Sequence, residues 1–424
     1  VSRHTAGRPG RVLVQVNSLA LGGTQLNAVQ FAAGLAQRGW SSLLVGPRDT
    51  LPSGPSLIDV ATEAGVPVDV MERPTTTIGG ARDLARRARA WDADLVHVYS
   101  SNLERPAYWG PCVLGRRPLV LTVYEMELSD RTHRACPLVV GTGYLLDESV
   151  ARRGPVALIS PPVEIEAAPD SAADSFFVEH DLPPDARRVV LVSRLDEVMK
   201  ARSVELAMGA IECAARDDIV LVVVGGGDAE ARLRAIGDAT NARLGRRAIV
   251  FTGPARDPRP AYEGADLVIG MGGSAARALS HGRRLVVLGE NGWSCAFEPA
   301  TALELYRFSF WSDAEPHDAL EHLASTICRV LDDERGRDDL EQFGRTFAAE
   351  HFELERMLDK LESVYEQSGS GRRRAWWYDI SLELQALGKV GPFSRSRRPQ
   401  PTDVALGARI PDVVRQTDRA DGRV

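Results

Sequence analysis

The most constraining feature of this sequence is an alternation of short, continuous apolar runs with turns and then with apolar residues at helical spacing. RVLVQV (11–16) runs into NSLALGGTQ, and LNAVQFAAGLAQRG then carries its apolar residues at intervals of three and four as far as Gly39. SSLLVG (41–46) is the next strand, and the cycle continues through VPVDV (66–70), helical ARDLARRARAW (81–91), DLVHVY (94–99) and PLVLTVY (118–124). Strands that are apolar throughout, separated by helices, call for a parallel sheet covered on both faces.

From 161 to 187 prolines and acidic residues break the pattern in PPVEIEAAPDSAADSFFVEHDLPPDA, which marks a domain boundary. A second cycle follows: RVVLVS (188–193), helical VELAMGAIECAA (204–215), IVLVVVGGGD (219–228), RAIVFTG (247–253), DLVIGMGG (266–273) and RLVVLG (284–289). The reading is α/β, with two Rossmann-like domains in tandem at 1–165 and 188–365 and a linker at 166–187. Helices are expected over 317–331, 337–352 and 355–367. A further one over 375–388 places Trp376, Ile380, Leu384 and Leu387 on one face, which suits packing on a domain surface or, with Arg372, Arg373 and Arg374, a peripheral membrane contact. After Gly391 the chain reads as a mobile tail, 391–424.

A net charge of −7 gives no electrostatic reason to expect nucleic acid, and no apolar run approaches the roughly 20 residues that span a bilayer. Five scattered cysteines without metal-ligand spacing suit a reducing cytoplasm. Only three of the 51 basic residues are lysines (Lys200, Lys360, Lys389), an asymmetry that GC-rich coding, as in actinobacteria, explains. Where a lysine persists against that bias, a compact ammonium is of interest, and Lys200 stands out.

In open parallel sheets ligands bind beyond the carboxyl ends of the strands. Gly22 and Gly23 there allow close backbone approach and open a helix toward an anion, or else serve a tight turn alone. ALGGTQL is not a G-x-G-x-x-G fingerprint, and SSLLVGP ends without the acidic residue that would take a ribose hydroxyl, so a nicotinamide-dependent oxidoreductase is not the expectation. In VSRLDEVMKARSVELAMGAI, Arg194 sits just past a strand and Lys200 six residues on. Two cations from one loop can converge on a diphosphate and offset the charge of a leaving group; the alternative is a solvated basic loop.

From 11 to 390 the chain resembles the GT-B glycosyltransferases, specifically the retaining group called family 4. The matching pieces, in order, are LGGTQLNAVQFAAGLAQRGW, DLVHVYS, LVLTVYE, SPPVEI, VSRLDEVMKARS, IVLVVVGGGDAEARL, IVFTGPARD and AYEGADLVIGMGGSAARALSHGRRLVVLGENG. The resemblance implies two Rossmann-like domains facing a central cleft. The second holds the nucleotide-sugar and the first most of the acceptor site, and a C-terminal helix (366–390) crosses back to the first. It places Gly22 and Gly23 near the donor phosphates and makes Arg194 and Lys200 a diphosphate clamp. It sets Phe251, Thr252 and Gly253 along the nucleobase pocket and Gly225, Gly226 and Gly227 in the turn beneath the nucleotide. His97, at the end of a first-domain strand, is a sugar contact or a structural residue, and Tyr124 and Glu125 are acceptor contacts. No metal or cofactor is implied, only a UDP- or GDP-type donor sugar, whose departing phosphate takes the acceptor proton.

GMGGSAARALSHG (270–282) departs from that pattern. Relatives carry two glutamates spaced E-x7-E, where this chain has Ile269 and Arg277. A guanidinium offers only donors, so Arg277 cannot accept a hydrogen bond from ribose, though it suits another phosphate or an acidic sugar. Gly272, Gly273 and Ser274 still open a helix suited to a diphosphate, and Glu290 in GENG is the nearest acidic candidate for the lost contact. His281 reads as a helix cap. The expectation is a metal-independent glycosyltransferase using a nucleotide-diphosphate sugar and a small-molecule acceptor, in actinobacterial secondary metabolism. The alternatives are a GT-B chain with lost or changed donor use and an envelope-lipid glycosyltransferase.

Overall fold

A computed structural model describes residues 10–48, 56–129, 131–163, 170–183, 185–255, 257–368 and 379. The chain divides into two compact units, one holding the residues up to Pro162 together with those from Leu354, the other Val163–Glu353.

The first unit is built on seven strands: β1 (Arg11–Val16), β2 (Ser41–Pro47), β3 (Val68–Met71), β4 (Leu95–Tyr99), β5 (Leu119–Val123), β6 (Leu138–Val140) and β7 (Val156–Leu158). Their order is β3-β2-β1-β4-β5-β6-β7, and each neighbouring pair is parallel. Successive side chains of a strand point to opposite faces, so Val12, Val14 and Val16 enter one core while Leu13 enters the other. Both cores are filled mainly by apolar side chains, which is why these strands carry little polar alternation.

One of those cores is closed by the helix Leu354–Ser368, through Met357, Leu358, Leu361, Val364 and Tyr365. Arg38 fixes that helix from the first-unit side: its guanidinium reaches Glu355 (2.5 Å), Asp359 (2.7 Å) and Glu362 (2.6 Å). Glu362 also accepts from Trp40 Nε1 at 2.8 Å. The chain therefore returns to the first unit at Leu354, earlier than the crossing expected at 366. The expected helix over 375–388 and the tail after 391 lie outside the described residues, apart from Asp379.

The second unit contains β8 (Arg187–Val192), β9 (Ile219–Val224), β10 (Ile249–Gly253), β11 (Leu267–Gly270), β12 (Leu285–Leu288) and β13 (Ser294–Ala296), ordered β10-β9-β8-β11-β12-β13. All pairs are parallel except β12 with β13. The order reverses direction on either side of β8, so the crevice at the carboxyl ends of β8 and β11 is the topological switch point of this sheet. Cys136 is buried and Cys213 exposed, and all five cysteines are free thiols.

Candidate functional site

At the carboxyl end of β8 the chain enters the loop that carries Arg194. Its course is set by three glycines after β9: a Cβ on Gly225 would lie 1.8 Å from Ser193 O, and one on Gly227 2.2 Å from Leu195 O. Gly225 also has φ +148°, which side chains rarely adopt. Ser193 N–H donates to Val224 O and Leu195 N–H to Gly226 O, both at 3.0 Å. The glycines Gly225, Gly226 and Gly227 thus let two loop backbones touch, and that contact presents Arg194 outward. Arg194 is exposed and its guanidinium has no hydrogen-bond or ion-pair partner among the described residues.

Lys200 caps the helix Ala201–Ala214 and reaches into the turn after β11, where its Nζ lies 2.9 Å from Met271 Sδ. Burial holds the ammonium below its ordinary pKa; Glu290 and Asp196 oppose that shift, and Arg194 adds to it. Glu290 is held in turn by Trp311 Nε1, which donates to Oε1 at 2.8 Å, and by its own N–H on Ser312 O. The structure therefore gathers Arg194, Lys200 and Glu290 around the glycine-rich turn.

That turn is shaped for a backbone approach. Gly272 has φ +57° and ψ −125°, and it precedes the helix Gly273–Ser280. Ser274 Oγ is engaged by Met271, accepting from its N–H (3.1 Å) and donating to its carbonyl (3.0 Å), so it braces the turn instead of standing free. Gly273 is exposed, and Arg277 Nη1 lies 3.7 Å from where its Cβ would be. Helical side chains lean toward the N-terminus, which is why Arg277 reaches back over Gly273. His281 ends this helix, pairs with Glu263 at 2.6 Å and stacks on Tyr262, the structural role expected of it.

Two further second-unit positions are braced from within the protein. The half-buried Phe251 ring packs against the core and against the helix at Gly237, with the Arg234 guanidinium 5.3 Å above it. Thr252 Oγ1 turns to the Gly253 and Val223 carbonyls at 3.2 and 3.4 Å.

In the first unit, Gly22 precedes the helix Gly23–Gln37, and a Cβ on Gly23 would meet nothing within 4 Å. The open space leaves room for a ligand at the helix start. His97 is a correction. It shares the face of β4 with Leu95 and Tyr99, is 0% exposed, and both ring nitrogens are occupied, Nδ1 by Tyr365 Oη (2.8 Å) and Nε2 by Thr122 Oγ1 (2.6 Å). Burial lowers its pKa to about 3, so the ring is neutral. His97 ties the sheet to the helix Leu354–Ser368 and presents no surface to a sugar. Just beyond β5, Tyr124 Oη and Glu125 Oε2 are buried without a hydrogen-bond partner among the described residues, and burial together with Tyr99 raises the Tyr124 phenol well above its usual range. Buried polar atoms of this kind are costly unless a ligand or water completes them.

Met271, Asp196 and Trp311 are the site residues that the sequence reading missed. Among the described residues no cluster of three His, Cys, Asp or Glu side chains is placed to hold a metal, and no helix is long and apolar enough to cross a membrane.

The two sheets and the switch-point crevice define an α/β protein of the GT-B type. Residues 21–147 match the family described as Glycosyltransferase Family 4. No curated protein matches the sequence. Among solved structures, a glycosyltransferase from Rickettsia africae superposes with TM-score 0.69 at 14% identity, covering 85% of this chain and 99% of its own. Anabaena Alr3699/HepE in complex with UDP gives TM-score 0.66 at 16% identity, covering 84% and 99%. The pneumococcal O-GlcNAc transferase GtfA in complex with UDP and GlcNAc gives 0.56 at 11%, covering 85% and 99%. The chain carries a glycosyltransferase family segment on the fold of GT-B glycosyltransferases.

Proposed function

We propose that this chain transfers a glycosyl group, with retention, from a nucleoside-diphosphate sugar to a small-molecule acceptor, without a metal. The observation that carries the reading is Lys200, a partly buried ammonium held over the Met271–Ser274 turn, beside the Arg194 guanidinium, neither of them with a salt-bridge partner among the described residues. Both cations, with the amides at Gly272 and Gly273, suit a diphosphate. In the reaction the bond between the anomeric carbon and the diphosphate oxygen breaks, and the nucleoside diphosphate leaves with charge that Lys200 and Arg194 offset. The acceptor oxygen bonds to the same carbon and gives its proton to the departing phosphate. Glu290, held by Trp311, orients the donor sugar, and Tyr124 and Glu125 complete their unpaired atoms on the acceptor. A UDP-type donor is the reading supported by Anabaena HepE, whose structures contain UDP and UDP-glucose. The lysine-poor composition supports GC-rich, actinobacterial coding, and the scattered cysteines without metal-ligand spacing support a cytoplasmic enzyme.

The test is mass-spectrometric detection of product across nucleotide-sugars and candidate acceptors. Lys200→Ala is expected to lose turnover by about a hundredfold or more, the scale of a removed electrostatic stabiliser; full activity in that variant sinks the assignment. A second reading, a chain that has lost donor use, is favoured by Arg277 alone. Calorimetric titration with UDP, GDP and dTDP separates the two, since a chain without donor use binds none of them.

A further inference from the structure

The basic side chains around the β8 and β11 carboxyl ends fall into two groups. Arg202 pairs with Glu315, Arg232 with Glu197 and Glu205, and Arg234 with Glu230. Arg194 and Arg277 have no acidic partner among the described residues, and Lys200 rests on a thioether. Against these three cations the same place offers one carboxylate that faces the lysine across the turn, Glu290, and one behind it, Asp196, engaged by Met199 N–H. A diphosphate ester carries two negative charges, which Lys200 and Arg194 match. Arg277 is then left over. It is exposed on the helix Gly273–Ser280, with its fork turned back over Gly273 and the Tyr262 phenol within its electrostatic reach.

Resting on the glycosyltransferase reading, we propose that Arg277 is a specificity-determining residue that selects a donor bearing a third anionic group, a carboxylate or phosphate beyond the diphosphate. A guanidinium gives two parallel N–H donors matched to the paired oxygens of either group, and it offers nothing to a neutral hydroxyl that needs an acceptor. The charge is present on every such donor at neutral pH, so the preference is one of binding and not of chemistry.

The test is calorimetric titration of the full chain with UDP, UDP-glucose and UDP-glucuronate, and, for a charge on the ribose, with ADP against adenosine 3′-phosphate 5′-diphosphate. Each series is repeated in Arg277→Ala and Arg277→Gln. In the unmodified protein one ligand with the third anionic group is expected to bind about ten- to a hundredfold tighter than its counterpart without it, the scale of a charge-assisted hydrogen bond. Both variants are expected to bring that ratio below about threefold. The arm that shows the preference tells whether the group lies on the sugar or on the ribose. A ratio near one in both arms, or a ratio that survives both substitutions, overturns the proposal while UDP binding leaves the glycosyltransferase reading in place. Absence of any nucleotide binding overturns both.

Discussion

Lys200 Nζ lies 2.9 Å from Met271 Sδ, an ammonium set against a thioether where a carboxylate would ordinarily be found. A thioether is a weak acceptor and carries no charge, so the contact positions the lysine without neutralising it. The charge is left for whatever occupies the turn, and the protein bears the cost of keeping it partly buried.

That cost gives the first prediction. Burial lowers the Lys200 pKa below 10.5, so between the folded and unfolded values the unfolded chain binds more protons and stability rises with pH. Below the folded value the penalty is fully present. Lys200→Met, which fills similar volume without charge, is expected to melt at or above the unmodified protein's temperature at pH 7 while losing turnover. The difference in melting temperature should shrink as pH rises toward 10.5. A clear drop in melting temperature at pH 7 would contradict this account.

His97 has a consequence of the same sign in a more acidic window. Its folded pKa of about 3 lies below the unfolded 6.5, so stability from the neutral ring is complete above 6.5 and is lost as pH falls toward 3. The loss from this residue alone is about 1.4 kcal/mol per pH unit inside the window, or about 2 kcal/mol at pH 5. Urea melts of the unmodified protein and of His97→Asn at pH 7 and pH 5 measure it. The variant should be weaker at pH 7, because Tyr365 or Thr122 loses its partner, but should show a shallower decline toward pH 5. Equal slopes would show that His97 does not govern the acid response.

The two sheets were legible because residues such as Val12, Leu13 and Val14 are buried whichever way they point, and a run apolar at every position survives as a signal. Ser294–Ala296 was not, since three residues between Trp293 and Phe297 carry no period and the strand exists only through its pairing with β12. The helix 354–368 was legible as a helix but not as part of the first unit. Met357, Leu361 and Val364 say that one face is buried, and only the fold says against what; its partner Arg38 is more than 300 residues away in sequence. At the site, Arg194, Lys200, Arg277 and Glu290 stood out by type and position. Met271 and Trp311 did not, because an ordinary apolar side chain announces nothing until its sulfur or N–H is seen facing a charge.

The glycines divide into those that need the absence of a side chain for folding and those that do not. Gly225→Ala would push a methyl into Ser193 O at a φ that alanine resists, and a loss of more than about 3 kcal/mol is expected, with the Arg194 loop displaced. Gly23→Ala meets open space at the first helical position and is expected to leave the melting temperature unchanged or raised by the helix propensity gained, about 0.5–1 kcal/mol at most. If a ligand approaches that backbone, KM rises in Gly23→Ala although the fold is intact. Thermal melts paired with steady-state kinetics check both variants, and a Gly225→Ala protein as stable as the unmodified one would show that the Ser193 backbone yields.

Tyr124 sets stability against binding at one atom. Its Oη is buried and unpartnered among the described residues, and the ring is pressed against Gly141, where a Cβ would come 2.7 Å from Cδ1. An unpaired buried hydroxyl costs about 1–3 kcal/mol, and Tyr124→Phe removes it while keeping the ring. The unliganded variant is therefore expected to be more stable than the unmodified protein, by about 1 kcal/mol in urea melts. If the hydroxyl is completed by the acceptor, the same substitution raises the acceptor KM by about tenfold and leaves the donor KM within about twofold. The two measurements are read together. A hydroxyl satisfied by a fixed water would lose stability on removal and leave both KM values in place, which is the outcome that would take Tyr124 out of the acceptor site.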